Sequence, residues 1–411
     1  MLEFMLVEQD LPPILGLKSC LELGLEQGID SLKEESLESE YADVFEGLGE
    51  ISGVQRKIKI DPNATPVIQP PRRVPVALRE PVKEELQRME TLGVIIKAAE
   101  PTAWVHSLVI AKKKNNKTRV CLDPSDLNRA VIREHFLRQT IEDVISRIPK
   151  AKVFSVLDAN HGFWQVKLDK DSSKLATFNT PFGRYSYKHL PFGIASAPEV
   201  FQNIMSHLFD DIEVLDVIVD DLVVWGENTE QHDVGLRQVL DHCRERNLKL
   251  NKDKCRFRLS DVSYVGHVLS ADGVKPDPLK VEAIKAMPPP GDREELQRFL
   301  GVVTYLSKFN PNMSQKSDPL RQLLQKDVEW SRGQAENEAF EILKTAISST
   351  PVLKFKDPKE PVSLSVDASS KGLGAVILQD NQPVAYASKA LTESQQNYAQ
   401  IEKEMLAIVF G

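Results

Sequence analysis

The sequence lacks several features that would place it in common protein classes. No uninterrupted apolar run approaches the roughly 20 residues that cross a membrane. The first ten residues have neither the basic flank nor the clean apolar stretch of a signal peptide. The four cysteines include no Cys-x-x-Cys pair and no histidine partners at zinc-finger spacing. We therefore predict an intracellular, cytoplasmic protein with reduced thiols and no membrane partner.

An excess of basic residues, which is typical of nucleic-acid-binding proteins, is also missing, because the formal net charge is −8. The charge is unevenly distributed. Residues 1–50 contain 13 acidic and 2 basic side chains, and the rest of the chain contains 47 acidic and 50 basic ones. The main body is therefore mildly basic, which permits a phosphate-binding surface. The leading segment is interpreted as an appendage, with a solvated linker or loose helix over Ser31–Glu40.

Apolar periodicity and turn residues predict a mixture of helices and strands. A helix with Pro81 in its first turn should place Val82, Leu86 and Met89 on one face and end at Gly93. The other predicted elements are strands at Gly93–Lys97, Val105–Ala111, Lys152–Asp158, Phe163–Leu168, Ala176–Asn179, Val362–Ser369, Gly372–Leu378 and Pro383–Tyr386, and helices at Thr140–Ile148, Ser196–Leu208, Val234–Leu248, Asp292–Phe309 and from Thr392.

Two runs of β-branched residues flank Asp220 and Asp221 within Val214–Trp225, which predicts a tight hairpin with two carboxylates at its tip. Adjacent carboxylates repel each other and are costly to hold near an apolar sheet. A bound divalent cation would relieve this repulsion. A solvated acidic turn is the alternative interpretation.

Asp158 ends a strand of buried type, and strand ends commonly hold catalytic groups in a cleft. The 62 residues that separate Asp158 from Asp220 are enough chain to return to the same edge of a sheet. Several hard oxygen ligands of this kind can hold the paired metal ions that serve in-line phosphoryl transfer. The spacing therefore favours a nucleotidyl-transfer or nuclease site.

Six motifs follow one another along the chain: Lys112–Lys114, Arg119–Asn128, Arg133–Phe136, Leu157–Phe163, Leu190–Pro198 and Ile218–Asp221. In this order they make the sequence resemble the polymerase region of gypsy-type long-terminal-repeat retrotransposon Pol polyproteins. The resemblance covers nearly the whole chain from about Pro66. It implies an α+β fold, a right-hand polymerase with fingers, palm, thumb and an antiparallel palm sheet, followed by the start of an RNase H-like α/β domain.

The resemblance also implies a division into four parts. We expect an acidic leading segment at 1–50, fingers and palm at 51–270, thumb and connection at 271–350, and a truncated RNase H-like domain at 351–411. Within the leading segment, Ile14–Leu25 is similar to the closing segment of a retroviral-type aspartic protease. The protease and integrase parts of such a polyprotein are expected as partners outside this chain.

By position in the family motifs, Asp158, Asp220 and Asp221 would be the catalytic carboxylates and would bind two Mg²⁺ ions, with Mn²⁺ as the alternative metal. One departure is Ile218, which stands where the family usually has an aromatic residue. It leaves the metal ligands unchanged but puts primer positioning in question.

The same carry-over assigns a nucleotide-binding pocket to Lys113, Arg119, Phe163 and Phe192. Lys113 and Arg119 would contact the triphosphate, although the short loop blurs which lysine corresponds. Taken alone, the basic tip Lys112–Arg119 is as compatible with a solvated turn as with phosphate contact. Phe163 would be a steric gate that excludes a 2′-hydroxyl, with a plain core aromatic as the alternative.

Two further sets of residues complete the expected sites. Tyr264, Gly266 and His267 would belong to a primer grip, although core packing is an equal alternative for the tyrosine and the histidine. Asp367 and Glu404 would be vestigial RNase H metal ligands, with Glu402 a weaker candidate for the second. Because the sequence stops at Gly411, within the helix that carries these glutamates, we expect the nuclease to be incomplete and inactive.

The function that this resemblance implies is RNA-directed DNA polymerisation. The chain would extend a primer with deoxynucleoside triphosphates on an RNA or DNA template. The alternative is a catalytically inactive retroelement remnant that at most binds nucleic acid.

Overall fold

The computed structural model describes residues 37–112, 118–134, 136, 139–148, 150–326 and 328–411. The helices are α1 Ala42–Phe45, α2 Val76–Thr91, α3 Ser125–Ala130, α4 Ile141–Ile145, α5 Lys170–Leu175, α6 Ala197–Leu208, α7 Thr229–Glu245, α8 Pro278–Lys285, α9 Arg293–Leu306, α10 Met313–Gln322, α11 Gln334–Ser348, α12 Glu393–Gln396 and α13 Gln400–Phe410, with 3₁₀ turns at Gly162–Gln165 and Ser307–Phe309.

The strands are short and mostly antiparallel. They are β1 Gln55–Arg56, β2 Ile95–Lys97, β3 Ser107–Lys112, β4 Thr118–Asp123, β5 Val153–Asp158, β6 Lys167–Leu168, β7 Thr177–Thr180, β8 Gly183–Tyr187, β9 Leu215–Ile218, β10 Asp221–Gly226, β11 Arg256–Leu259, β12 Asp261–Tyr264, β13 His267–Ser270, β14 Gly273–Pro276, β15 Ser363–Ala368, β16 Gly372–Gln379 and β17 Gln382–Ala390.

The chain forms two compact units that each combine separate stretches of sequence. The first unit contains the described residues up to Glu134, together with Asp158–Phe201 and Gln238–Phe257. The second unit contains the described residues of the stretches 135–157, 202–237 and 258–411. The four expected domain boundaries remain predictions.

The first unit is built around two small antiparallel sheets, β2-β8-β7 and β3-β4. Helix α2 packs on β4 and buries Val82, Leu86 and Met89, the face that the apolar spacing predicted. The expected position of Pro81 was wrong, because the helix starts at Val76 and the proline lies in its second turn. A proline there costs one backbone hydrogen bond, which the burial of the apolar face offsets.

Residues 37–50 pack into the first unit rather than hanging from it. Tyr41 and Val44 are buried, and the Tyr41 hydroxyl donates to Asp241 over 2.8 Å. The Arg244 guanidinium donates to the carboxylate of Asp43, with a shortest distance of 2.7 Å. The predicted linker at Ser31–Glu40 falls mostly outside the described residues, as does the protease-like segment at 14–25.

The second unit contains a central sheet with the strand order β11-β5-β10-β9 and an antiparallel sheet β12-β13-β14. One large core joins these sheets to helices α4, α8, α9, α10 and α11. Its buried side chains include Phe154 on β5, Val223 on β10, Leu269 on β13 and Phe299 on α9. The antiparallel pairing of β9 with β10 agrees with the predicted hairpin.

The C-terminal part of the second unit is a three-stranded antiparallel sheet, β15-β16-β17, with α13 packed on β15 and β16. The predicted order of three strands followed by a helix is confirmed, although the helix is broken into α12 and α13. The core between this sheet and α13 is small and consists of four buried residues, Ala368, Leu373, Leu391 and Ala407.

Two other expectations about local structure were wrong. The predicted strand at Phe163–Leu168 is a 3₁₀ turn followed by the two-residue strand β6. His161 adopts a left-handed conformation with φ 51°, and Trp164 and Gln165 are both buried, which an alternating strand would not allow.

Helix α4 has the predicted capping box between Thr140 and Asp143 but ends at Ile145 rather than Ile148.

Among the residues that the structure describes, no helix combines the length and the apolar character that crossing a membrane requires.

Candidate functional site

The acidic hairpin places Asp220 in a two-residue turn and Asp221 directly after it. Asp221 is the first residue of β10 and pairs with Ile218, so the turn consists of Val219 and Asp220. Both aspartates are half-buried. The turn is unusual because Val219, a β-branched residue, adopts a left-handed conformation with φ 58°.

Two buried side chains hold this hairpin through its backbone. The Gln202 carboxamide accepts a hydrogen bond from the Val219 N–H over 2.7 Å and donates to the Val217 carbonyl over 2.8 Å. The Tyr264 hydroxyl donates to the Asp221 carbonyl over 3.1 Å. Burial raises the pKa of Tyr264 well above its ordinary value, so the hydroxyl stays a donor.

Sequence reasoning missed Gln202. The available signal was a glutamine in helix α6 between Phe201 and Met205, both of which are fully buried. A buried amide must satisfy its hydrogen-bonding groups. Its partners lie 15 and 17 residues further along the chain, and the helical pattern does not identify them.

Asp158 ends strand β5, as predicted, and its side chain is only 9% exposed. The Lys254 ammonium donates to the carboxylate over 2.7 Å, and the Asn251 N–H donates to the backbone carbonyl over 2.8 Å. Lys254 lies 96 residues away in sequence, and no motif pointed to it. The carboxylate thus already has a cationic partner, which is what a buried carboxylate requires.

The structure brings three of the four predicted pocket residues together in the first unit. The ring centroids of Phe163 and Phe192 are 5.0 Å apart, and the Arg119 guanidinium carbon lies 4.0 Å from the centroid of Phe192. Phe201 packs edge-on against Phe163 at 5.4 Å. The fourth residue, Lys113, lies outside the described residues.

The turn that carries Phe192 is anchored by Asn128, which the predictions did not single out. Its carboxamide donates to the Gly193 carbonyl over 2.9 Å and accepts from the Ala195 N–H over 2.8 Å. Gly193 has φ +103°, and a Cβ there would lie 3.3 Å from Pro124. Helix α3, which carries Asn128, therefore fixes the wall of the pocket.

At the expected primer grip, β12 and β13 form the predicted hairpin with Val265 and Gly266 at its tip. Tyr264 and His267 are both buried, so they are core side chains. Burial lowers the pKa of His267 to about 4, which keeps the imidazole neutral near pH 7. At the tip, Tyr305 donates to the Val265 carbonyl over 3.1 Å.

The expected RNase H residues are less firmly held. Asp367 lies on β15 with an exposed side chain. Glu404, on α13, accepts from the Gln400 carboxamide over 2.7 Å. The weaker candidate, Glu402, accepts from the Ala399 N–H over 2.8 Å and so caps α13.

In the part of the chain that the structure describes, no group of three or more His, Cys, Asp or Glu side chains is arranged to hold a metal ion. The chemistry of Asp158, Asp220 and Asp221 nevertheless fits a hard divalent cation, because carboxylate oxygens are the ligands that Mg²⁺ prefers. The Lys254 ammonium already places one positive charge against Asp158.

Comparison with known proteins identifies the family. Residues 110–269 match the model described as reverse transcriptase (RNA-dependent DNA polymerase). Residues 333–411 match the model of an RNase H-like domain found in reverse transcriptase. The retrovirus-related Pol polyprotein from transposon 297 of Drosophila melanogaster is 32% identical over 340 residues, which are 80% of this chain and 32% of that polyprotein. The chain spans about a third of the length of the curated relatives that it matches.

Two solved structures share the fold. A foamy viral protease–reverse transcriptase in complex with double-stranded DNA has a TM-score of 0.85 and 20% identity, and the match covers 91% of this chain and 67% of that one. The foamy viral enzyme in complex with an RNA/DNA hybrid has a TM-score of 0.82 and 20% identity, covering 92% and 52%. Reverse transcriptases generally use divalent metal ions. The chain belongs to the reverse transcriptase family of retrotransposon Pol polyproteins.

Proposed function

We propose that the chain is an RNA-directed DNA polymerase that extends a primer with deoxynucleoside triphosphates. The observation that carries the proposal is the β9–β10 hairpin, which has Asp220 in its turn and Asp221 directly after it, with hydrogen bonds between its backbone and the side chains of Gln202 and Tyr264. This hairpin lies within the residues that match the reverse transcriptase family. A solvated acidic turn would not need two buried side chains to fix its backbone.

The proposed partner is a template–primer duplex of RNA or DNA. The related foamy viral enzyme has been solved with double-stranded DNA and with an RNA/DNA hybrid. Outside residues 1–50 this chain has more basic than acidic side chains, which suits a phosphate backbone. Binding should therefore weaken steeply as the salt concentration rises.

Asp158, Asp220 and Asp221 are the residues that we propose as ligands of two Mg²⁺ ions, with Mn²⁺ as a substitute. Bound there, the ions would supply charge stabilisation for phosphoryl transfer. In the structure, the Lys254 ammonium pairs with the Asp158 carboxylate, and the Lys254 side chain is 61% exposed.

Arg119 and Phe192 would receive the incoming nucleotide. The guanidinium carbon lies 4.0 Å from the centroid of the Phe192 ring, and this contact holds the positive charge at the pocket. Guanidinium donors match phosphate oxygens in geometry, so Arg119 is the proposed triphosphate contact. Lys113 is a second proposed contact.

Phe163 would select deoxynucleotides by steric exclusion. Its ring is backed on two sides, by Phe192 at 5.0 Å and by Phe201 at 5.4 Å. The preceding residue is Gly162, and a Cβ there would lie 2.7 Å from the Phe201 ring. A ring supported in this way cannot retreat from a 2′-hydroxyl, so a ribonucleotide would have to displace packed side chains.

Primer extension tests the proposal. The wild-type chain should extend an annealed primer on RNA and on DNA templates with Mg²⁺, and Asp220→Asn should abolish extension. Asp210→Asn, a matched change at an exposed aspartate, should extend as the wild type does. No extension by the wild type at any Mg²⁺ or Mn²⁺ concentration, with duplex binding retained, would favour the inactive remnant instead.

A second assay addresses the steric gate. Phe163→Val should admit ribonucleoside triphosphates while retaining most deoxynucleotide incorporation. Phe178→Val, a matched change at a buried phenylalanine of β7, should leave the preference for deoxynucleotides intact. Unchanged discrimination in the Phe163 variant would remove that residue from the pocket.

A further inference from the structure

The turn that carries Asp220 holds a residue ill-suited to its conformation. Val219 has φ 58°, and β-branched residues rarely adopt positive φ because Cβ crowds the backbone. Two-residue hairpins that need positive φ at their first central residue usually have glycine there. The local sequence therefore disfavours the turn that is observed, and something else must stabilise it.

The Gln202 carboxamide is the group that stabilises it. Its side chain is fully buried, and one amide bonds both to the end of β9 and to the first residue of the turn. The oxygen accepts from the Val219 N–H over 2.7 Å, and the nitrogen donates to the Val217 carbonyl over 2.8 Å. The nitrogen also lies 3.2 Å from the Ser206 hydroxyl oxygen, one turn along α6.

We propose that Gln202 is a positioning residue for polymerisation: by fixing Val219 in its left-handed conformation, it sets the direction in which the Asp220 and Asp221 carboxylates leave the turn. The inference rests on the proposed polymerase function, since it assigns those carboxylates a task. Gln202 does not touch substrate, because its side chain has no exposed surface. Its effect passes through the backbone alone.

The combination of valine and glutamine explains how a short turn can be both strained and rigid. If Val219 relaxed to a common conformation, the peptide between Val219 and Asp220 would rotate and the Asp220 carboxylate would point elsewhere. The hydrogen bond that the Val219 N–H donates to Gln202 opposes that rotation, because rotation would leave the buried carboxamide oxygen without this partner. Glycine would remove the strain but would also widen the range of accessible conformations.

The main test is Gln202→Met, which keeps the length of the side chain but removes both hydrogen-bonding groups. We expect kcat for primer extension to fall about tenfold or more, with little change in KM for the template–primer. The Mg²⁺ concentration for half-maximal extension should rise several-fold. Gln238→Met, the same change at an exposed glutamine of α7, should alter none of these quantities.

A double substitution distinguishes positioning from a general loss of packing. Glycine adopts positive φ without support, so in the Val219→Gly background the change Gln202→Met should reduce kcat by less than about threefold. The two effects would then be non-additive. The same tenfold loss in both backgrounds would overturn the proposal, because the glutamine would be acting on something other than the conformation of Val219.

Residue-resolved amide hydrogen exchange on the wild-type chain needs neither activity nor a variant. The Val219 N–H should exchange much more slowly than an open turn amide, and Gln202→Met should accelerate it while the thermal unfolding of the chain stays cooperative. Fast exchange of Val219 in the wild type would overturn the proposal. If the wild type extends no primer, the polymerase function fails, and this measurement still decides whether Gln202 fixes the turn.

Discussion

The β9–β10 hairpin and the C-terminal sheet both carry acids at which metal chemistry was expected, but they are supported differently. Behind the hairpin lies a core that includes Val223 and Trp225, and Gln202 and Tyr264 bond to the backbone of the hairpin. Behind the sheet lies a small core of four buried hydrophobic residues, and Asp367 is exposed on its strand. Strand pairing with β16 holds the backbone of Asp367, so the two regions differ in the size of the core behind the acids rather than in whether the backbone is held.

The largest expected effect separates the two regions by activity. Asp221→Asn should lower kcat for primer extension by about a thousandfold or more, because it removes a charge that the proposed metal ions require. Asp367→Asn should leave extension within twofold of the wild type. Steady-state extension assays on one template provide the comparison. Similar losses in both variants would mean that the C-terminal sheet also takes part in polymerisation.

A substitution in each core should also differ in how much of the chain it destabilises. Phe299→Ala removes a fully buried ring from the large core and should lower the free energy of unfolding by ~3–5 kcal/mol. Leu373→Ala should cost ~2–3 kcal/mol and accelerate amide exchange only within residues 363–410. Hydrogen exchange followed by mass spectrometry measures both the loss of unfolding free energy and the residues over which exchange accelerates. Accelerated exchange throughout the second unit in the Leu373 variant would show that the two cores unfold together.

A buried acid on β9 should give the hairpin region a characteristic pH dependence. Burial raises the pKa of Asp216 to about 6, and this effect exceeds the opposing one of Arg147, whose guanidinium donates over 2.5 Å. Because the folded-state pKa lies above the unfolded value of 3.8, the carboxyl stabilises the fold below pH 3.8, and this stabilisation is lost as the pH rises through about 6.

Asp216→Asn should therefore be progressively more stable than the wild type as the pH rises from 4 to 7, by about 2–3 kcal/mol in total. Urea unfolding of both proteins at several pH values measures the difference. Asp272→Asn, at an exposed turn residue, serves as the control. A constant difference between Asp216→Asn and the wild type across this range would contradict the assignment.

The smallest expected effect lies on the outer face of α13. Ile401, Met405 and Ile408 recur along one side of this helix and are all more than half exposed. Ile408→Lys should change the free energy of unfolding by less than ~0.5 kcal/mol, since it removes no buried contact. Chemical denaturation tests this. A loss above ~2 kcal/mol would show that this face is packed in solution.

Much of the fold was predictable because local patterns and motif order both pointed to it. The capping box at Thr140 and Asp143 and the strand that ends at Asp158 follow directly from residue types at fixed spacing. The strand expected at Phe163–Leu168 failed because tertiary packing buries the consecutive residues Trp164 and Gln165. Local alternation cannot reveal such packing.

In the candidate site, too, the sequence predicted some residues and could not predict others. The motifs named Asp158, Asp220 and Asp221, but they did not name Gln202 or Lys254, which hold the backbone or the charge of these acids. Supporting residues of this kind are chosen by three-dimensional position, and they lie up to 96 residues away in sequence. A single sequence therefore identifies the reacting groups better than the groups that hold them in place.

The contacts of Asp158 set a lower limit on any shortened version of the chain. Its carbonyl accepts from Asn251, and its carboxylate pairs with Lys254. Nearby, the Gln165 carboxamide donates to the Lys249 carbonyl and accepts from the Lys249 N–H. A truncated protein that ended after the acidic hairpin would keep all three catalytic candidates, yet it would strip these groups of their partners. A fragment made to test the proposed polymerase function must therefore continue at least through Lys254.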